Sequence, residues 1–254
     1  MKKRKMLITL IILLLLIIVF KIVMLLLCNT NKDSINIITK GLQNREEITI
    51  TSKTLNEDEY FTHNSIKLKN IMDGYNLDEK AKEKYIKNNS DGTTSVIYFI
   101  DDNEQNMSLV EGFKTNSKDI NFYGETDIRT NIFYLANRKK FLKDNNIKND
   151  IDFYKFIGDN YPLKNNIFTS TSKMMQNCSF NYYVEIVIPK IESMTIIKGD
   201  LDGYIFKIGT KNEISVYQIT ILDNNRKYGF TTNDPRFKDE SFLKDILSTI
   251  KIIK

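Results

Sequence analysis

The sequence is poor in the side chains that most often carry chemistry. Among 254 residues there is no Trp, one His and two Cys. Two cysteines, Cys28 and Cys178, cannot build a disulfide framework or a Cys/His zinc site. A single histidine, His63, lies far in sequence from Cys178, which leaves a catalytic thiol there without a partner base. There is no Gly-rich phosphate loop and no Gly-x-Ser-x-Gly nucleophile turn. Nor is there an internal repeat or a low-complexity tract.

Charge of one sign is also missing where it would matter. The formal net charge is +5, but Lys2, Lys3, Arg4, Lys5 and Lys21 supply five of the 37 basic residues, and no acid occurs among the first 28 positions. The remainder holds 32 basic and 32 acidic residues. The basic character therefore belongs to the N-terminus, and nothing in it argues for nucleic acid as a partner.

What the sequence does contain is Met6 to Leu27, MLITLIILLLLIIVFKIVMLLL, apolar except at Thr9 and Lys21. As a helix at ~1.5 Å per residue it reaches ~33 Å, enough for a ~30 Å hydrocarbon core. It has no polar face, which a surface helix needs. Lys21 sits ~9 Å from the far end, close enough for its stem to snorkel to the interface. The basic residues before the run, against only Lys32 and Asp33 just after it, place the N-terminus in the cytoplasm. The expected organisation is a cytoplasmic tail (1–5), a transmembrane helix (6–28), a spacer (29–33) and an extracytoplasmic domain (34–254). The expected location is the cell membrane, as a single-pass protein. Two alternatives stay open. A signal peptide would be cleaved, but the core is long and no Ala-x-Ala follows. Leu25-Leu26-Leu27-Cys28 resembles a bacterial lipobox, which would make Cys28 a lipidation site, although the box wants a small residue where Leu27 stands.

The 41% hydrophobic and 27% charged content indicates an ordered domain. Lys, Ile and Asn richness without Trp points to an AT-rich, low-GC bacterial genome. With Cys28 at the membrane, the outer domain has no second thiol for Cys178, which reads as a small buried side chain. Alternation predicts strands at Ser34–Thr39, Glu46–Ser52 and Ser65–Lys69, with Gly41 turning between the first two. Asn76–Asn88 reads as a helix, with Leu77, Ala81 and Tyr85 on one face. Thr94–Ile100 and Met107–Phe113 read as a hairpin around Asp101–Asn106, an acidic turn without the glycine and closing glutamate of a calcium loop.

Asp127–Tyr161 has helical spacing, with Asp150 capping a helix that Pro162 stops. Five strands are expected next: Phe180–Ile188, Met194–Lys198, Gly203–Ile208, Glu213–Leu222 and Lys227–Thr232. Their short connectors suit an antiparallel meander. A closing helix, Asp239–Ile250, carries Phe242, Leu243, Ile246, Leu247 and Ile250 on one face. The fold class is α+β: an N-terminal transmembrane helix, then an antiparallel sheet packed against helices. His63 reads as a surface or satisfied histidine, and Lys139-Lys140 as the solvated face of a helix.

Two strings carry family resemblances. Ile167-Phe168-Thr169-Ser170-Thr171-Ser172, followed by Val184–Lys190, resembles the middle of arginine/serine/glutamate ADP-ribosyltransferases. That likeness implies NAD as cofactor, Ser170 and Ser172 on a strand supporting it, Arg129 on the phosphates and Glu213 in the catalytic pair. The second glutamate of that pair is replaced by Ser215. The ordinary alternative is that Ser170 or Ser172 caps a helix. Separately, KYGFTT followed by an acidic opening and Leu247-Ser248-Thr249-Ile250-Lys251 resembles the close of Mog1/PsbP-like extracytoplasmic domains. These pack an antiparallel sheet against helices and are often membrane-tethered. Together these readings predict a membrane-anchored envelope module that binds a protein partner, without cofactor and without catalysis. A divergent NAD-binding domain is the alternative.

Overall fold

The computed structural model describes residues 2–28, 39–100, 109–115, 136–188, 191–209, 215–223 and 226–253. Helix α1 (Lys2–Leu27) is the apolar run. Met6–Leu27 is long and apolar enough to cross a membrane, and its side chains project outward with almost no burial against the rest of the chain. A helical turn over 39–43 leads into β1 (Arg45–Ile50).

Strands β2 (Tyr60–His63) and β3 (Ile66–Lys69) form a hairpin, as do β4 (Asn76–Asp78) and β5 (Ala81–Asn88); β6 is Thr94–Ile100. Among the described residues four helices follow: α2 (Leu109–Thr115), α3 (Arg138–Asp144), α4 (Asp150–Asn160) and α5 (Thr171–Val187). The meander β7 (Ser193–Gly199), β8 (Asp202–Gly209), β9 (Ser215–Asp223) and β10 (Arg226–Thr232) precedes α6 (Glu240–Thr249) and β11 (Lys251–Ile252).

The main sheet has eight strands in the order β1-β7-β8-β9-β10-β6-β5-β4, and β11-β3-β2 form a second, three-stranded sheet. Every pairing is antiparallel except β1 with β7, where Ile48 lies opposite Ile197. Alternation along the strands sends side chains to two cores. Met194, Ile196, Tyr204 and Phe206 face a helical layer with Phe113, Phe141, Phe153, Phe180 and Val184. Ile197, Ile205, Ile219, Ile221, Phe230, Ile97 and Phe99 face the opposite way, onto Leu68, Ile246 and Leu247 of β3 and α6. The α+β class is as expected.

Several segments differ from their sequence reading. Asn76–Asn88 is the β4–β5 hairpin, not a helix. The spacing of four between Leu77, Ala81 and Tyr85 is even, so it satisfies a strand as well as a helix. Leu77 pairs with Tyr85 across the hairpin, and Tyr85 meets Phe61 and Phe99 edge-on. Phe180–Ile188 belongs to α5, not to a strand. Phe180, Tyr183, Val184 and Val187 stand at i, i+3, i+4 and i+7 and face the helical core, while Met174 and Cys178 lie on another flank of the helix. Local β propensity gives way to that packing.

Leu109–Thr115 is helical rather than half of a hairpin, burying Leu109, Val110 and Phe113. The α4 cap is Asn149, whose side chain accepts from the Asp152 N–H; Asp150 turns inward. Of the expected Ser34–Thr39 strand, only Thr39 is described, in the helical turn; Asp101–Asn106 and 127–135 lie outside the described residues.

Gly229 is a point where the sheet depends on one residue. Its φ is +155°, and a Cβ there would lie 1.9 Å from the Ile219 carbonyl oxygen on the neighbouring strand. Gly229→Ala should cost at least about 2 kcal/mol from backbone strain and the clash together. A denaturation midpoint within error of wild type would contradict this register.

Candidate functional site at the anchor junction

The last turns of α1 carry Lys21, Met24 and Cys28 toward the folded domain. Met24 is 1% exposed in an otherwise bare helix, packed in a small cluster with Met174 and Cys178 of α5. Cys28 and Cys178 form a disulfide with Cα atoms 5.1 Å apart. The expectation that Cys178 is small and buried holds, and the sequence reading missed its partner. It assigned the two thiols to different compartments, the helix and the domain, although the end of the helix reaches α5. The bond also occupies the Cys28 sulfur that a lipid would use.

Lys21 reaches the same neighbour from one turn deeper. Its Nζ donates to the Ile167 carbonyl at 2.7 Å. That carbonyl lies in a loop shaped by Asn166, whose Oδ1 accepts from the Phe168 and Thr169 N–H groups at 2.9 and 3.0 Å. Asn177 and Asn181 of α5 hold the loop from behind, through Asn165 Oδ1 and the Leu163 backbone. Ser170 caps α5, its hydroxyl accepting from the Lys173 N–H. The Ser-Thr-Ser string thus opens a helix rather than lying on a strand. Ser172 is exposed in the first turn, and Arg129 and Glu213 lie outside the described residues.

Several other polar side chains among the described residues are committed to structure. Asp150 is 1% exposed; it accepts from the Val110 N–H and pairs with Lys227 Nζ at 2.9 Å. Burial, with this charge nearby, pushes the Tyr183 and Tyr204 hydroxyls well above their ordinary range. Burial likewise pushes Tyr161 up to about 12. His63 stacks on Phe99 and lies 3.2 Å from the Tyr85 hydroxyl, a satisfied histidine.

Arg138 donates to the Ser179 hydroxyl and the Phe113 carbonyl, tying three helices together, while Lys140 pairs in the open with Asp144. A concavity of about 530 Å³ is lined by Glu111, Lys114, Thr115 and Lys139, and the first two of these already pair with each other. Among the described residues no three His, Cys, Asp or Glu side chains converge on a metal position.

One face of the sheet stays partly open. Across β5, β6, β10 and β9 run Lys84, Tyr98, Thr231 and Gln218 in register, ending at Phe206 under the helical layer. Tyr98 is 45% exposed. The closing strand–helix segment buries Leu247, Thr249 and Ile250 in the second core, with Thr249 Oγ1 accepting from the Lys69 N–H. No family model, curated protein or solved structure matches the chain.

The connection into α6 is held by Asp234, which accepts from the Tyr75 hydroxyl at 2.7 Å and from Arg236 through both oxygens. Burial pushes this carboxyl up, but the Arg236 and Tyr75 hydrogen bonds outweigh it and hold it below the usual range. A depressed folded value contributes stability above the unfolded aspartate pKa of about 4, and that stability is lost as pH falls from there through the folded value. Asp234→Asn should therefore lower stability at pH 7 by about 2 kcal/mol and flatten the acid limb below pH ~4. Parallel acid limbs for variant and wild type, read by denaturant melts across pH, would contradict the assignment.

Proposed function

We propose that this chain is a single-pass bacterial envelope protein, N-terminus in the cytoplasm, whose outer domain acts by binding a partner protein rather than by catalysis. The observation that carries the reading is the anchor junction. A disulfide and a Lys21 hydrogen bond join the domain to the end of its own membrane helix. A disulfide persists on the oxidising side of a membrane, which supports the outward placement that the basic N-terminus implies. Fixing the domain to the helix restricts how it can turn relative to the bilayer. Such restriction favours presentation of one surface at a set height and does nothing for turnover of a diffusing substrate. The satisfied histidine and the structural use of the buried ionic groups agree with a binding role.

Two measurements test this. In membranes quenched with alkylating agent, a maleimide mass tag should find no free thiol before reduction and both Cys28 and Cys178 after it. Two tags without reduction would mean a reducing compartment and no staple. Cross-linking the full chain in its native membrane, followed by mass spectrometry, should capture one dominant envelope protein. Saturable turnover of a substrate by the full chain in vesicles would instead reject a purely binding role.

A further inference from the structure

We infer that the Ile167-Phe168 tip is a second membrane contact, dipping into the outer leaflet beside the anchor; the inference rests on the membrane-anchored reading above. Three contacts along two helices set its depth. Cys28 meets Cys178, Met24 lies in the cluster with Met174, and Lys21 bonds Ile167. Moving back along α1 thus moves back along α5 and into the loop before it, so the loop points the way the anchor enters the bilayer. Lys21 lies six residues before Leu27, which puts the tip ~9 Å inside the end of the apolar run at ~1.5 Å per residue. That run is about as long as a hydrocarbon core is thick, so this level is the boundary between headgroups and acyl chains, where interfacial segments bury ~5–10 Å deep.

The side chains suit that level. Phe168 is 91% exposed and Ile167 is 37% exposed, the only large apolar side chains so open on the loop. Part of their backbone is already satisfied within the protein. The Phe168 and Thr169 N–H groups are satisfied by Asn166 Oδ1, the Asn166 N–H by the Thr169 hydroxyl, and the Ile167 carbonyl by Lys21. Unsatisfied groups would oppose insertion by several kcal/mol each. Lys164 and Lys173 flank the tip in sequence, and exposed lysines there match phosphate headgroups. Lys21 satisfies one of its ammonium hydrogens on the Ile167 carbonyl, which lowers the cost of its charge at that level.

The absence of native Trp makes a direct test available. Phe168→Trp touches no packed neighbour, and Phe20→Trp reports on the anchor. Each full-length variant is reconstituted in phosphatidylcholine/phosphatidylglycerol vesicles, with or without bromine on the upper acyl positions. The expected result for Trp at 168 is loss of emission in brominated vesicles and protection from aqueous iodide. Emission at 168 that is insensitive to brominated lipid and quenched by iodide overturns the tip contact, provided that Trp at 20 is shielded from iodide. If Trp at 20 is itself quenched by iodide, the anchor reading fails and takes this inference with it.

Discussion

The covalent link between Cys28 and Cys178 is the constraint on which the arrangement of this protein depends. It closes a loop of 150 residues between the end of α1, a helix long and apolar enough to cross a membrane, and the middle of α5. By chain entropy alone a closure of that size restricts the unfolded chain by about 2–5 kcal/mol. Its structural effect is larger than its energy. Residue 178 sits midway along α5, one turn from Met174 and two residues from Phe180. The end of α1 is therefore joined to a helix whose other side packs into the main helical core, rather than to a peripheral strand.

Around that spine the domain solves two ordinary problems. An eight-stranded sheet needs cover on both faces, and it has helices on one and a small sheet with α6 on the other. It also has two edges, β1 and β4. The β4 edge is three residues long, and the β1 edge carries Glu47, engaged by Lys155 and Lys198. Short or charged edges discourage pairing with another chain. The price in polar burial falls on Asp150, whose carboxylate is held inside by Lys227 and the Val110 N–H. Such a pair adds little net stability, but losing either partner leaves a charge without water.

How much of this could be read from the chain depended on which signal each segment carried. The N-terminal helix was legible because Met6 to Leu27 is apolar on every side but for Thr9 and Lys21. The strands from Ser193 to Thr232 and helix α6 were legible because their periods are clean and their connectors short. Asn76–Asn88 was not, since an even spacing cannot separate a helix from a strand. In α5 the β-branched and aromatic composition of FNYYVEIVI hid the helical stripe of Phe180, Tyr183, Val184 and Val187, visible only if the segment is read together with its cap at Ser170. The junction was the least legible part. Its contacts span more than 140 residues, and neither the lone intradomain cysteine nor an exposed Phe168 points to α1 by itself.

The two fates considered for Cys28 exclude one another on chemical and packing grounds alike. A sulfur bonded to a lipid cannot also bond Cys178. Processing that frees Cys28 for a lipid would remove the helix before it, taking Met24 from the cluster and uncovering Met174 and Cys178, which are 0% and 1% exposed with the helix in place. The α5 surface fits the helix: two sulfur-bearing side chains, flexible or compact enough to lie against an α-helical flank, form the seat. Lys21 completes the fit one turn further back, its ammonium donating to the Ile167 carbonyl. A cationic residue inside an apolar run, which looks like a blemish in the sequence, is in the folded protein the contact that sets where the domain stands on its anchor.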